Sequence, residues 1–202
     1  KIILPTGLMI GLQLIELVLL GRNELNMLNE EQIWKLVDAK RAEFIALSDR
    51  VFETPETLYN EFASVAEHVA ALKAEGFTVT EGICGMPTAV MGEAGTKGPV
   101  IAILGEFDAL PQLSQAPGVA EHSPIEAGGN GHGCGHNLLG AASLLAATAV
   151  KDWLAKNGIA ARVRYYGCPA EEGGAAEIMQ IACDGWERLT GELLRPCLLY
   201  TS

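Results

Sequence analysis

Pro99-Val100-Ile101-Ala102-Ile103-Leu104-Gly105 is the stretch on which the fold turns. In an extended chain successive side chains point to opposite faces, and here both faces are apolar. A run of that kind suits a central strand in a sheet covered on both sides, and such sheets are mostly parallel. Downstream, Gly105-Glu106-Phe107-Asp108-Ala109-Leu110-Pro111 opens a segment over 105–135 rich in Gly, Pro and polar residues. Loops of that length inside a compact domain are uncommon and usually functional. An Ala- and Leu-rich helix is predicted over Leu138–Leu154, closed by Asn157-Gly158, and a further strand at Val163-Arg164-Tyr165-Tyr166. Gly167-Cys168-Pro169 ends that strand and leads into Ala170-Glu171-Glu172-Gly173-Gly174.

Upstream, Asn29 can cap a helix whose first turn holds Glu30 and Glu31, both favourable at the positive end of the helix dipole. Ile33, Leu36, Val37, Phe44, Leu47 and Val51 recur at helical spacing. Thr54-Pro55-Glu56-Thr57 breaks that pattern and starts a second helix, with Leu58, Phe62, Val65, Val69 and Leu72 as its apolar stripe and Gly76 at its C-terminal cap. Short strands are predicted at Phe77–Thr80 and Thr88–Met91. The order helix, helix, strands, helix, strand describes an α/β layered domain with a mostly parallel central sheet flanked by helices.

Composition limits the function classes. The chain has 202 residues, 49% of them apolar, and 19% charged, so it is neither disordered nor fibrous. Its 14 basic and 25 acidic residues give a net charge of −11. That balance argues against nucleic acid and against an anionic membrane surface, because both require a basic face. The five cysteines show neither a CxxC pair nor regular spacing, which reads as reduced thiols in a cytoplasmic protein. Ile2 to Leu20 is apolar but interrupted by Gln13 and Glu16, a poor membrane span. Residues 1–26 are expected to be upstream or non-native sequence, because Met27 opens a more ordinary protein start.

Two loops carry the chemistry, and both follow apparent strands, where α/β sheets place their sites. Gly129-Asn130-Gly131-His132-Gly133-Cys134-Gly135-His136-Asn137 holds two imidazoles and a thiol within five positions. Thiolate and imidazole are strong ligands for zinc-like ions, at bond lengths of about 2.0–2.3 Å. The same stretch also fits a plain glycine-rich turn, and less well a phosphate cradle, since it lacks a GK[ST] ending. Cys134 as a nucleophile would need a base and an orienting group in reach. Glu171-Glu172 places adjacent carboxylates after a buried strand. A cation would relieve their repulsion, one carboxylate binding it and the other taking a proton from activated water. Their alternative is a favourable helix N-terminus. His68 and His122 read as structural or solvated, and Cys84, Cys168, Cys183 and Cys197 as packing or incidental thiols.

Together, Gly105–Pro111, His132–His136 and Pro169–Gly173 resemble the metallopeptidase family that includes aminoacylases, carboxypeptidase G-like enzymes and indole-acetyl-amino-acid amidohydrolases. The resemblance covers roughly residues 29–176. Within the family, Asn130–Gly140 and Tyr165–Glu172 are most similar to the p-aminobenzoyl-glutamate hydrolase group. The resemblance implies Cys134, His136 and Glu172 as metal ligands, with Cys134 bridging two divalent ions, zinc or manganese. It implies Glu171 as the general base and Asp108 as a supporting residue that orients a ligand, with His132 near the same shell. It implies hydrolysis of an amide bond in an N-acyl amino acid such as p-aminobenzoyl-glutamate. A dipeptidase or aminoacylase activity and a non-catalytic metal-binding partner subunit are the competing readings. The full-length form is expected to be a homo- or hetero-oligomer. Family members carry later His ligands and an inserted lid and dimerisation domain, whereas the last of the four histidines here is His136. The chain is therefore expected to be the N-terminal part of such a catalytic domain over 27–176, poorly active alone, with 177–202 a divergent tail or assembly scar.

Overall fold

A computed structural model describes residues 30–174 of the chain. The expectations for 1–26, for Asn29 and for 177–202, including Cys183 and Cys197, lie outside those residues.

Helix α1 spans Glu30–Glu53 and buries Ile33, Phe44, Leu47 and Val51. Helix α2 spans Phe62–Ala74, later than its sequence pattern indicates. Residues 54–61 instead form a turn-rich connection. The reason lies in Glu56, whose carboxylate accepts from Ala63 N at 3.0 Å and from Ser64 N at 2.8 Å. Those bonds satisfy first-turn amide donors that otherwise lack a partner, and so fix where the helix begins. Phe62 consequently faces out, at 56% exposure, and is no part of the apolar stripe. The end of α2 behaves as its Gly76 indicates. Gly76 sits at φ +79°, its N–H bonds Lys73 O at 3.1 Å, and Phe77 N–H reaches Leu72 O at 3.0 Å. That paired bonding is the Schellman arrangement, with Leu72 and Phe77 both buried beside it.

Strands β1 (Thr78–Glu81) and β2 (Val90–Ala94) follow, separated by a short 3₁₀ turn at Ile83–Gly85. Strand β3 is Val100–Glu106, helix α3 is His136–Lys156, strand β4 is Arg162–Cys168, and a final turn of helix, α4, is Glu171–Gly174. The four strands form one sheet in the order β1-β2-β4-β3. Helix α3 packs on β3 and β4, α2 packs on β1 and β2, and α1 lies against α2 and α3.

The α/β class holds, but the expected mostly parallel sheet does not. Among the described residues the sheet is mixed. Only β3 and β4 run parallel, while β1 pairs with β2 and β2 with β4 antiparallel. Parallel neighbours need a long crossover, and among the described residues only the 107–161 segment containing α3 supplies one. Correspondingly, among the described residues β4 and not β3 has a strand on each side. β4 is buried almost throughout, whereas β3 alternates between buried and partly exposed positions. The apolar run marked a strand correctly, and among the described residues that strand stands at the edge of the sheet.

Helix α3 meets length and composition criteria for crossing a membrane. Its apolar face is instead packed inside the domain, with Leu144, Ala147, Val150 and Trp153 all buried. The parallel register pairs Gly105 with Gly167 and Glu106 with Cys168. The carboxyl ends of β3 and β4 therefore lie side by side, and α3 begins at the end of the long loop that leaves β3.

Candidate metal centre

The site assembles at those two strand ends. Glu106 is the last residue of β3, and Asp108 follows two residues later. Gly135 precedes α3 at φ +85°, a left-handed conformation that side-chain-bearing residues rarely adopt. That turn makes His136 the first residue of α3 and buries its ring. Ala170 makes a second left-handed turn, at φ +55°, and sends Glu171 and Glu172 into α4.

His136 is the hub. Its Nδ1 lies 2.8 Å from Asp108 Oδ1, so the proton sits on Nδ1 and Nε2 is left to face the site. Nε2 is 3.1 Å from Glu106 Oε2, 3.8 Å from Glu171 Oε2 and 3.9 Å from Glu172 Oε1. Asp108 is fully buried and does a second job, its Oδ2 accepting the Glu172 backbone N–H at 3.0 Å. One carboxylate thus fixes both the imidazole and the start of the Glu-Glu turn. Burial works against protonation of His136, but the Asp108 hydrogen bond and the charges of Asp108, Glu106 and Glu172 outweigh it and raise its pKa. The exposed Cys134 thiol is likewise raised, first by its hydrogen bond to Glu172, then by burial and by Glu171 and Glu106.

Two triads have ligand atoms all within 4.8 Å of one another: Cys134, His136 and Glu172, and Glu106, His136 and Glu171. Ligands bonded to one ion at about 2.0–2.3 Å cannot lie much further apart than this. Glu172 Oε1 is buried without a hydrogen-bond partner, an orphaned carboxylate oxygen that an ion would satisfy. The donor set of thiol, imidazole and carboxylates therefore fits a divalent metal. Both triads share His136 Nε2, however, and one ring nitrogen ligates one ion. Among the described residues, a second ion would be held by carboxylate and bridging thiolate alone.

The sequence-derived residues Asp108, Cys134, His136, Glu171 and Glu172 all converge here. Glu106 joins them, although it stands in the first motif without being singled out. Its signal is the alternation at the strand end, since Glu106 and Asp108 flank the buried Phe107. His132 does not reach the cluster. Its Nε2 donates to Val51 O at 3.0 Å, and burial first of all lowers its pKa. With Asn130 Nδ2 on Pro55 O at 3.1 Å and Asn137 Nδ2 on Ser48 Oγ at 3.0 Å, it ties the glycine-rich loop to the end of α1. His68 lies in the core between the rings of Phe107 and Tyr165, and His122 is exposed.

Comparison with known proteins agrees with this geometry. Residues 102–195 match the family model described as peptidase family M20/M25/M40. The chain is 46% identical over 156 residues to a p-aminobenzoyl-glutamate hydrolase subunit of Escherichia coli (strain K12), covering 75% of this chain and 32% of that protein. A dinuclear metal binding peptidase of the M20 family from Bacillus subtilis superposes with a TM-score of 0.58 at 25% identity, covering 73% of this chain and 41% of the other. An aminobenzoyl-glutamate utilization protein from Klebsiella pneumoniae shares the fold, with a TM-score of 0.52 at 15% identity over 76% of this chain and 43% of its own. The chain spans about a third of the length of the curated relatives it matches. The fold, the motifs and these relatives agree that the chain carries a peptidase M20 domain.

Proposed function

We propose that this chain provides the metal-binding core of a metal-dependent amide hydrolase acting on N-acyl amino acids, p-aminobenzoyl-glutamate among them. The observation that carries the reading is the convergence of one thiol, one oriented imidazole nitrogen and three carboxylates on a single point. The similarity to the Escherichia coli hydrolase supports the substrate class.

In this reading Cys134, His136 and Glu172 would hold the metal, zinc or manganese, and Cys134 would also serve a second ion. Bound there, the metal supplies Lewis-acid chemistry, polarising the amide carbonyl and acidifying water. Glu171 is the most exposed of the carboxylates around His136, its side chain 41% accessible. That leaves its oxygen free to take a proton from the attacking water and deliver it to the leaving amine nitrogen. Asp108 holds the His136 proton on Nδ1, which keeps the Nε2 lone pair directed at the site. Glu106 adds negative charge opposite Nε2 and stands ready as a further ligand.

The described residues offer a single imidazole nitrogen to the site. The chain on its own is therefore expected to hold metal weakly and to turn over slowly, and the complete enzyme to work as an oligomer. Cys84, Cys134 and Cys168 all stand as thiols rather than disulfides, which supports a reducing, cytoplasmic setting. The test is metal content and hydrolysis together. Bound zinc or manganese lost in Cys134→Ala supports the reading, as does chelator-sensitive release of p-aminobenzoate lost in Glu171→Ala. Activity that survives chelation and is lost to iodoacetamide would instead mark Cys134 as a nucleophile.

A further inference from the structure

Glu61 is a fully buried carboxylate that the site described above does not use. It stands at the N-terminal boundary of α2, where an acidic side chain ordinarily caps the helix. Here it makes no such bond, and Glu56 performs that task. The Glu61 carboxylate instead turns inward and collects three donors from three segments. Oε1 accepts from Tyr59 N at 2.9 Å and from Ala170 N at 2.9 Å. Oε2 accepts from Thr88 Oγ1 at 2.8 Å.

A buried carboxylate is costly unless its oxygens are satisfied; Thr88 satisfies Oε2, while Oε1 alone carries the bond to Ala170. The bond to Ala170 spans 109 positions of sequence. Ala170 is buried, bears a Cβ, and stands at φ +55°. A non-glycine residue held in that region is disfavoured, and persists only where its surroundings over-determine it. The residues that follow are Glu171 and Glu172, whose oxygens lie 3.8 and 3.9 Å from His136 Nε2. The direction of both carboxylates is set by the turn at Ala170. Asp108 grips the turn on its far side through Glu172 N, and Glu61 grips it on the near side.

We propose that Glu61 is a positioning residue for the metal centre: its carboxylate locks Ala170 in the left-handed turn that aims Glu171 and Glu172 at His136. This rests on the metal-hydrolase reading for its consequence, but the lock itself is a property of the fold. Partners that hydrogen-bond a metal ligand directly typically change affinity by about 10- to 100-fold when removed, and Glu61, acting one residue back from Glu171, is set against the low end of that range.

The experiment compares Glu61→Ala, Glu61→Asp, Glu61→Gln and Thr88→Val in the 202-residue chain. It follows amide exchange at Ala170, zinc and manganese affinity by chelator competition, and urea stability. Glu61→Ala and Glu61→Asp are expected to speed exchange at Ala170 and to weaken metal binding at least 10-fold. Glu61→Gln is expected to retain both within about threefold, because its Oε1 still accepts from Tyr59 and Ala170 while its amide donates to Thr88. Thr88→Val is expected to lose stability without losing metal affinity. Wild-type affinity in a folded Glu61→Asp or Glu61→Ala overturns the proposal. So does a loss of affinity in Thr88→Val that tracks stability as closely as in the Glu61 variants, because Glu61 would then be only structural. If the wild-type chain binds neither ion, the metal reading fails. The exchange data then decide the lock alone, and unchanged protection of Ala170 in the variants overturns it.

Discussion

Gly140→Ala tests whether the contact between α3 and β3 sets the geometry of the site. Gly140 lies four residues after His136 and hence on the same face of α3. A Cβ at this position would stand 2.8 Å from His68 Nε2 and closer still to the Glu106 carbonyl oxygen. The Glu106 carbonyl oxygen would lie 2.3 Å away, and ordinary contacts begin at about 3.4 Å, so the helix must retreat by roughly 1 Å. The carbonyl belongs to β3 and cannot rotate aside. In a helix with free space, Gly→Ala would stabilise by about 1 kcal/mol. Overpacking a rigid site costs about 1–3 kcal/mol. The expected net is a loss of up to about 2 kcal/mol in urea unfolding, with the slope unchanged. The retreat also lengthens the 3.1 Å contact between His136 and Glu106, so metal affinity should fall with stability. A Gly140→Ala protein more stable than wild type would refute the packing argument. One destabilised as expected but with wild-type metal affinity would refute the claim that this contact sets the site.

Three further outcomes follow from particular contacts. Asp108→Asn leaves one acceptor oxygen facing two donors, His136 Nδ1–H and Glu172 N–H. It should lower stability by about 1–3 kcal/mol and metal affinity 10- to 100-fold, read by urea melts and chelator competition. If Glu171 is the proposed proton acceptor and the Cys134–His136–Glu172 group holds the metal, Glu171→Gln should retain bound metal while any hydrolysis falls by about 10²–10⁴. His68 is completely buried, and burial pushes its pKa down to about 4. Its unfolded form takes up a proton near 6.5, so its contribution is fully present above that pH. It is lost as pH falls toward 4, by about 3 kcal/mol in all. A His68→Leu variant should show a flatter stability profile between pH 6.5 and 4, and an unchanged slope would refute the assignment.

The local parts of this protein were legible in its residues. Helical spacing, the Gly76 and Asn157-Gly158 caps and the apolar run at 100–104 depend on neighbours within a few positions, and they located α1, α3 and β3. That Cys134, His136, Glu171 and Glu172 belong to one cluster was indicated by the resemblance of their motifs, whereas their spacing alone left a glycine-rich turn and a helix N-terminus open. Folding decided the rest. Glu56 reaches seven and eight residues along the chain to set the start of α2, and no periodicity reports that. The mixed sheet follows from which connection is long enough to cross over. Asp108 meets His136 across 28 positions and Glu172 across 64. Glu61 meets Ala170 across 109. Residue types decide what a site can do, since donors and acceptors are intrinsic to side chains. Which of them share one ion, one proton or one strained turn is decided only when the carboxyl ends of β3 and β4 come together in the packed domain.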